Sequence, residues 1–177
     1  MNDGSTVSVK LSPGEMMMSA LAGVMREVHA VNKGRQDTKT PEGKVRTGWQ
    51  NHAEGCLAEM AVAKWLGVYW NPDIGGVGKG DVGEIEVRAT AVESYRLTVF
   101  DDDPGDKPVV SVVGEVGKYT LRGWVFGHEG KTPEYKKQAE ICKMIGGANF
   151  VATADLRPMS ELDGWESHPD RIDVAEN

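Results

Sequence analysis

Three acidic residues and one arginine stand at spacings that chemistry can use: Glu59, Asp81, Glu86 and Arg88. Glu84-Ile85-Glu86-Val87-Arg88-Ala89-Thr90 alternates polar and apolar, the period of a half-buried strand. On such a strand Glu84, Glu86 and Arg88 share one face while Ile85 and Val87 enter the core. Asp81 lies across Val82-Gly83, where a turn can fold its carboxylate back toward Glu86. Two close carboxylates repel unless a cation separates them, and hard oxygen donors suit Mg²⁺ or Mn²⁺. The plainer alternative is a solvated strand face carrying cross-strand ion pairs. Glu59 shares a helix face with His52, Gly55, Cys56, Ala63 and Leu66, a largely small or apolar set. An acid there is either a paired, partly buried residue or a ligand.

The elements that must position these residues can be read outward from them. Ser12-Pro13-Gly14-Glu15 has the form of a capping box, so a helix should run to about Val31. Its expected buried side holds Met17, Leu21, Val24, Met25 and Val28. The stretch 32–47 reads as a polar loop, and a second helix should span Gly48 to Leu66, stopped by Gly67. Ala58, Ala61 and Ala63 keep that helix slim enough to lie close to a sheet. Further strands are expected at Val68–Trp70, Arg96–Phe100, Pro108–Val113, Lys118–Phe126 and Phe150–Leu156, with a helix over Pro133–Ile145. The whole is an α/β (α+β) single domain over 1–177, with helices outside a mixed, mainly antiparallel sheet, a core at about 48–156 and an acidic segment at 157–177.

The motif pair resembles a known superfamily. Gly55-Cys56-Leu57-Ala58-Glu59-Met60-Ala61-Val62-Ala63-Lys64-Trp65-Leu66-Gly67 is similar to the first core helix of PD-(D/E)XK nucleases, and Gly80-Asp81-Val82-Gly83-Glu84-Ile85-Glu86-Val87-Arg88 to the motif that names them. Tyr119 to Gly127 resembles a strand of phage-encoded members. The resemblance covers about 48–127 and implies a restriction-endonuclease-like core, a mixed central sheet flanked by helices. It also implies metal-dependent hydrolysis of DNA, with Asp81 and Glu86 holding Mg²⁺ or Mn²⁺ and Glu59 completing or supporting the site. Arg88 departs from the usual lysine. A guanidinium stays charged and cannot act as a general base, though it can orient a phosphate. The competing expectation is a catalytically degenerate nuclease-fold protein of a phage that binds DNA or a host protein.

The net charge of −7 runs against nucleic-acid binding until its distribution is considered. Seven acids against two arginines in 155–177 carry −5, whereas 32–47 is locally +3. Lys33, Arg35, Lys44 and Arg46, with Lys79, are therefore the expected phosphate contacts, the alternative being a solvated loop. Trp49 beside this loop could stack on a base, and the other tryptophans are expected in the core. Rival motifs fail on context. Gly78-Lys79-Gly80-Asp81-Val82-Gly83 matches G-x-G-x-x-G but leads into a strand, and Lys79 lacks the following Ser or Thr of a P-loop. His52-Ala53-Glu54 has no Pro-Cys-x-x-Cys to complete a zinc deaminase site. No run is long and apolar enough to span a bilayer, no secretory signal is expected, and Cys56 and Cys142 read as reduced thiols. The expected setting is the cytoplasm of a bacterial host, with DNA, a second copy of the chain, or a host or phage protein as partner, and no membrane.

Overall fold

The computed structural model describes residues 6–34, 48–72, 74, 80–136 and 147–162. Ser12 caps α1 (Pro13–Asn32) through the expected box: its side chain accepts from the Glu15 N–H, and its own N–H donates to the Glu15 carboxylate at 2.6 Å. After α2 (Gly48–Leu66) the chain reverses at Gly67, whose φ of +67° suits a residue without Cβ.

The strands are β1 (Val7–Lys10), β2 (Glu86–Thr90), β3 (Leu97–Phe100), β4 (Pro108–Glu115), β5 (Lys118–Phe126) and β6 (Ala148–Val151). Four of them form a mixed sheet in the order β1-β5-β4-β2, in which only the β2–β4 pair is parallel. β3 and β6 make a separate antiparallel pair. β4 lies inside the sheet and is covered on both faces, so it reads as a continuous apolar run and not as an alternation. One face packs Val110, Val112, Leu121 and Trp124 under α2, where Ala58, Ala61 and Ala63 are buried as their size predicts. The opposite face packs Val109 and Val125 against Leu97, Val99 and Val151 of the β3–β6 pair. This is a mixed α/β chain with a mixed sheet flanked by helices.

A bulge in β5 sets Arg122 opposite no partner, since Ser111 pairs with Gly123 and Val112 with Leu121. The buried Arg122 guanidinium donates to Ser111 Oγ and to the carbonyls of Glu93 and Tyr95, which ties down the connection between β2 and β3. Gly123, at φ +139°, lets the Arg157 carbonyl approach, because a Cβ there would sit 2.5 Å from that oxygen. Residues 157–162 therefore belong to the core: Arg157 pairs with Trp124, and Met159 and Leu162 are fully buried.

Four expectations need correction. Met17, Leu21, Val24, Met25 and Val28 of α1 are exposed, and α1 instead packs on α2 through Ser19, Ala22, Gly23, Glu27 and Ala30. The reason is steric: a Cβ on Gly23 would lie 2.5 Å from Ala53 Cα, so only small residues permit this helix spacing. Val68–Trp70 is not a strand; Trp70 is buried against α2 with no ladder partner. Pro133–Lys136 is a turn leading to a bridge with Asn149, and the rest of the expected helix lies outside the described residues. The last strand is shorter than Phe150–Leu156, ending at Val151 before a 3₁₀ turn over Thr153–Asp155.

Candidate active site

Parallel pairing places Glu86 beside Val109 and Arg88 beside Ser111, so both side chains point to the face away from α2, toward β3. Glu84 lies before the strand, exposed, with Lys107 Nζ 3.9 Å away. The turn at 81–84 closes through reciprocal Val82–Ile85 backbone bonds of 3.0 Å. It brings Asp81 round the edge of β2, where its Oδ2 accepts the Val87 N–H at 2.8 Å. Asp81 thus stands at the rim between the two faces of the sheet.

Arg88 is the hub on the β3 side. Its Nη1 lies 3.3 Å from Glu86 Oε2 and 3.7 Å from Asp81 Oδ2, while Nη2 donates to Asp103 Oδ1 at 2.6 Å. The guanidinium rests over the Phe100 ring, 5.1 Å from its centre. Asp103 is itself fixed, since its Oδ2 accepts the Phe100 N–H at 2.8 Å and Lys131 Nζ donates to its backbone carbonyl. Arg88 Nε is buried and has no acceptor among the described residues.

Glu59 occupies the α2 side. It is 3% exposed and receives both Nη groups of Arg26, at 2.5 and 2.9 Å, with Trp70 Nε1 donating at 3.2 Å. Burial pushes the Glu59 carboxyl up to about 7, and the charge of Asp81 adds to the rise while Arg26 opposes it. Burial also raises Asp81 and Glu86, the latter further through Asp81 beside it. The charges of Glu59, Asp81, Glu86, Asp103, Arg26 and Arg88 therefore form one connected patch, with Asp81 in electrostatic reach of both halves.

Of this patch Arg88 alone lines a cleft of about 630 Å³, together with Asn51 and Glu54 of α2, Thr90, Thr98, Phe100 and Glu115. Among the described residues no three acidic, histidine or cysteine side chains are grouped closely enough to hold a metal ion by themselves. Two carboxylates suffice for Mg²⁺, which keeps several waters and takes remaining ligands from substrate phosphate. Asp81 and Glu86 bracket one Arg88 nitrogen and present that donor set.

Of the expected phosphate contacts, Lys33 is exposed just past α1; Arg35, Lys44, Arg46 and Lys79 lie outside the described residues. Sequence reasoning missed Arg26, Asp103 and Lys131. Arg26 had a faint signal as a charge on a face of small residues, and Asp103 was hidden in an acidic run that reads as a linker. Cys56 is buried and free, and burial pushes its thiol up to about 12, which leaves no thiolate for nucleophilic chemistry. Trp49 is 46% exposed, whereas Trp70 and Trp124 are core residues. No helix among the described residues is long and apolar enough to cross a membrane. Comparison with protein-family models, curated proteins and solved structures gave no match, so geometry and chemistry alone bear on function.

Proposed function

We propose that this chain is a Mg²⁺- or Mn²⁺-dependent nuclease that hydrolyses DNA phosphodiester bonds, with the restriction-endonuclease-like core that its motifs resemble. One observation carries the reading: Asp81, Glu86 and Asp103 converge on the single guanidinium of Arg88, and Arg88 lines a cleft. Part-buried carboxylates that outnumber their cation favour uptake of either a proton or a metal ion, as the raised Asp81 and Glu86 carboxyls express. A divalent ion held by Asp81 and Glu86 would supply a water of lowered pKa and neutralise phosphate charge. Arg88, permanently charged, would orient the scissile phosphate from the wall of the cleft. Asp103 and the Phe100 ring hold the guanidinium in place, and Glu59, paired with Arg26, lies behind Asp81 within reach of its charge.

The test is direct. Purified protein with Mg²⁺ or Mn²⁺ should cut linear, circular or branched DNA. Asp81→Ala and Glu86→Ala should each slow cleavage on the order of a hundredfold or more, about 3 kcal/mol of transition-state stabilisation. Cleavage that survives both substitutions rules the mechanism out.

A second reading is a catalytically degenerate phage protein that binds DNA or a host protein. It is favoured by the commitment of both Arg88 Nη groups to carboxylates at 2.6 and 3.3 Å. DNA binding that persists in EDTA without turnover, together with cleavage gained by Arg88→Lys, would select it.

A further inference from the structure

Met17, Leu21, Val24, Val28 and Val31 follow one another on α1 at intervals of four, three, four and three residues. That is the spacing of a coiled-coil seam, sustained over about 21 Å of helix. All five are exposed, Met17 and Leu21 to 70% and 60%, and Met18 and Met25 widen the stripe on one side. The charged residues between Glu15 and Lys33, Arg26 and Glu27, are turned inward to Glu59 and His52. The outward face of α1 is thus an uncharged apolar stripe with no cover among the described residues. Water disfavours such a patch strongly enough that it marks an interaction site.

We propose that a second copy of this chain covers the stripe, α1 against α1, so that the protein is a twofold dimer. Val24 stands at the midpoint of the seam, so an antiparallel pair crossing there sets Met17 of one copy opposite Val31 of the other and Leu21 near Val28, large side chains against small ones. With Met18 and Met25 the stripe exposes roughly 700 Å² per copy, so its complete burial would remove at most about 1,400 Å² from water for the pair, within the range of stable interfaces. A lipid surface fits less well. Interfacial helices carry Lys or Arg along the rim and Trp or Phe on the buried face, and neither occurs on the exposed face of α1. The inference does not depend on the nuclease reading.

Sedimentation equilibrium of the full chain should give twice its 19.2 kDa at micromolar concentration. Leu21→Glu combined with Val28→Glu should give the monomer with unchanged far-ultraviolet circular dichroism, since both side chains leave the core untouched. Independently, Val24→Cys should cross-link to a covalent dimer under mild oxidation, while the parent chain, with Cys56 and Cys142, does not. A wild-type monomer at 100 μM would overturn the proposal, as would a dimer unaffected by the paired glutamates or Val24→Cys cross-linking no better than wild type. A monomer that floats with phosphatidylglycerol vesicles would also overturn it and assign the stripe to lipid.

Discussion

Replacing Arg26 by Met should destabilise the fold by an amount that depends on pH, because it leaves the buried Glu59 carboxylate with Trp70 Nε1 as its remaining donor among the described residues. Removing one member of a buried ion pair costs about 3–5 kcal/mol when the other stays charged. For a chain of this size that lowers Tm on the order of 10 °C. Glu59 has an escape, since its carboxyl already sits at about 7 and can take a proton. With the folded pKa above the unfolded value, its contribution to stability is complete below about 4.5 and is lost as pH rises through about 7. Without Arg26 the folded pKa climbs further, so the variant keeps losing stability above pH 7, where the wild type has levelled. The gap should be about 1 kcal/mol or less at pH 5 and widen by about 1.4 kcal/mol for each pH unit above 7, until the variant's own carboxyl titrates. Arg26→Met combined with Glu59→Gln removes the charge altogether, and should recover to within about 2 kcal/mol of wild type with a flatter pH profile. Urea unfolding in EDTA at pH 5 and 8 measures all three proteins. An equal cost at both pH values, or a double variant no better than the single one, would refute the electrostatic account.

Asp103→Ala removes the acceptor of Arg88 Nη2 and of the Phe100 N–H; it should cost about 2–4 kcal/mol by denaturant unfolding and slow cleavage at least tenfold. Mg²⁺ at a hundred times its Kd should stabilise the wild type by about 2.7 kcal/mol, read as a rise in Tm. The rise should vanish in the Asp81→Ala, Glu86→Ala double variant and shrink at pH 5.5, because burial raises both carboxyls and protons then compete with the ion. A shift that persists in the double variant would place the ion elsewhere.

Local signals carried well into three dimensions. The Ser12–Glu15 box, the Gly67 stop and the alternation around Glu86 depend on bonds or facing between near neighbours, and each element formed within a few residues of its expected bounds. The buried side of α1 did not carry, because hydrophobicity alone does not say which face has a partner. The close approach of Gly23 to Ala53 selects the small-residue face and turns the larger apolar side chains outward.

The same division holds at the site. Types and spacing alone singled out Glu59, Asp81, Glu86 and Arg88 and assigned Ile85 and Val87 to the core. Which charge answers which was decided only by tertiary structure: Arg26 reaches Glu59 across 33 residues, and Arg88 reaches Asp103 across 15. A side chain's period fixes the face on which it lies, but its partner arrives with the packing of another element. Burial, and with it the rise of the Glu59 carboxyl, exists only once α1, α2 and the rim of the sheet have closed around it.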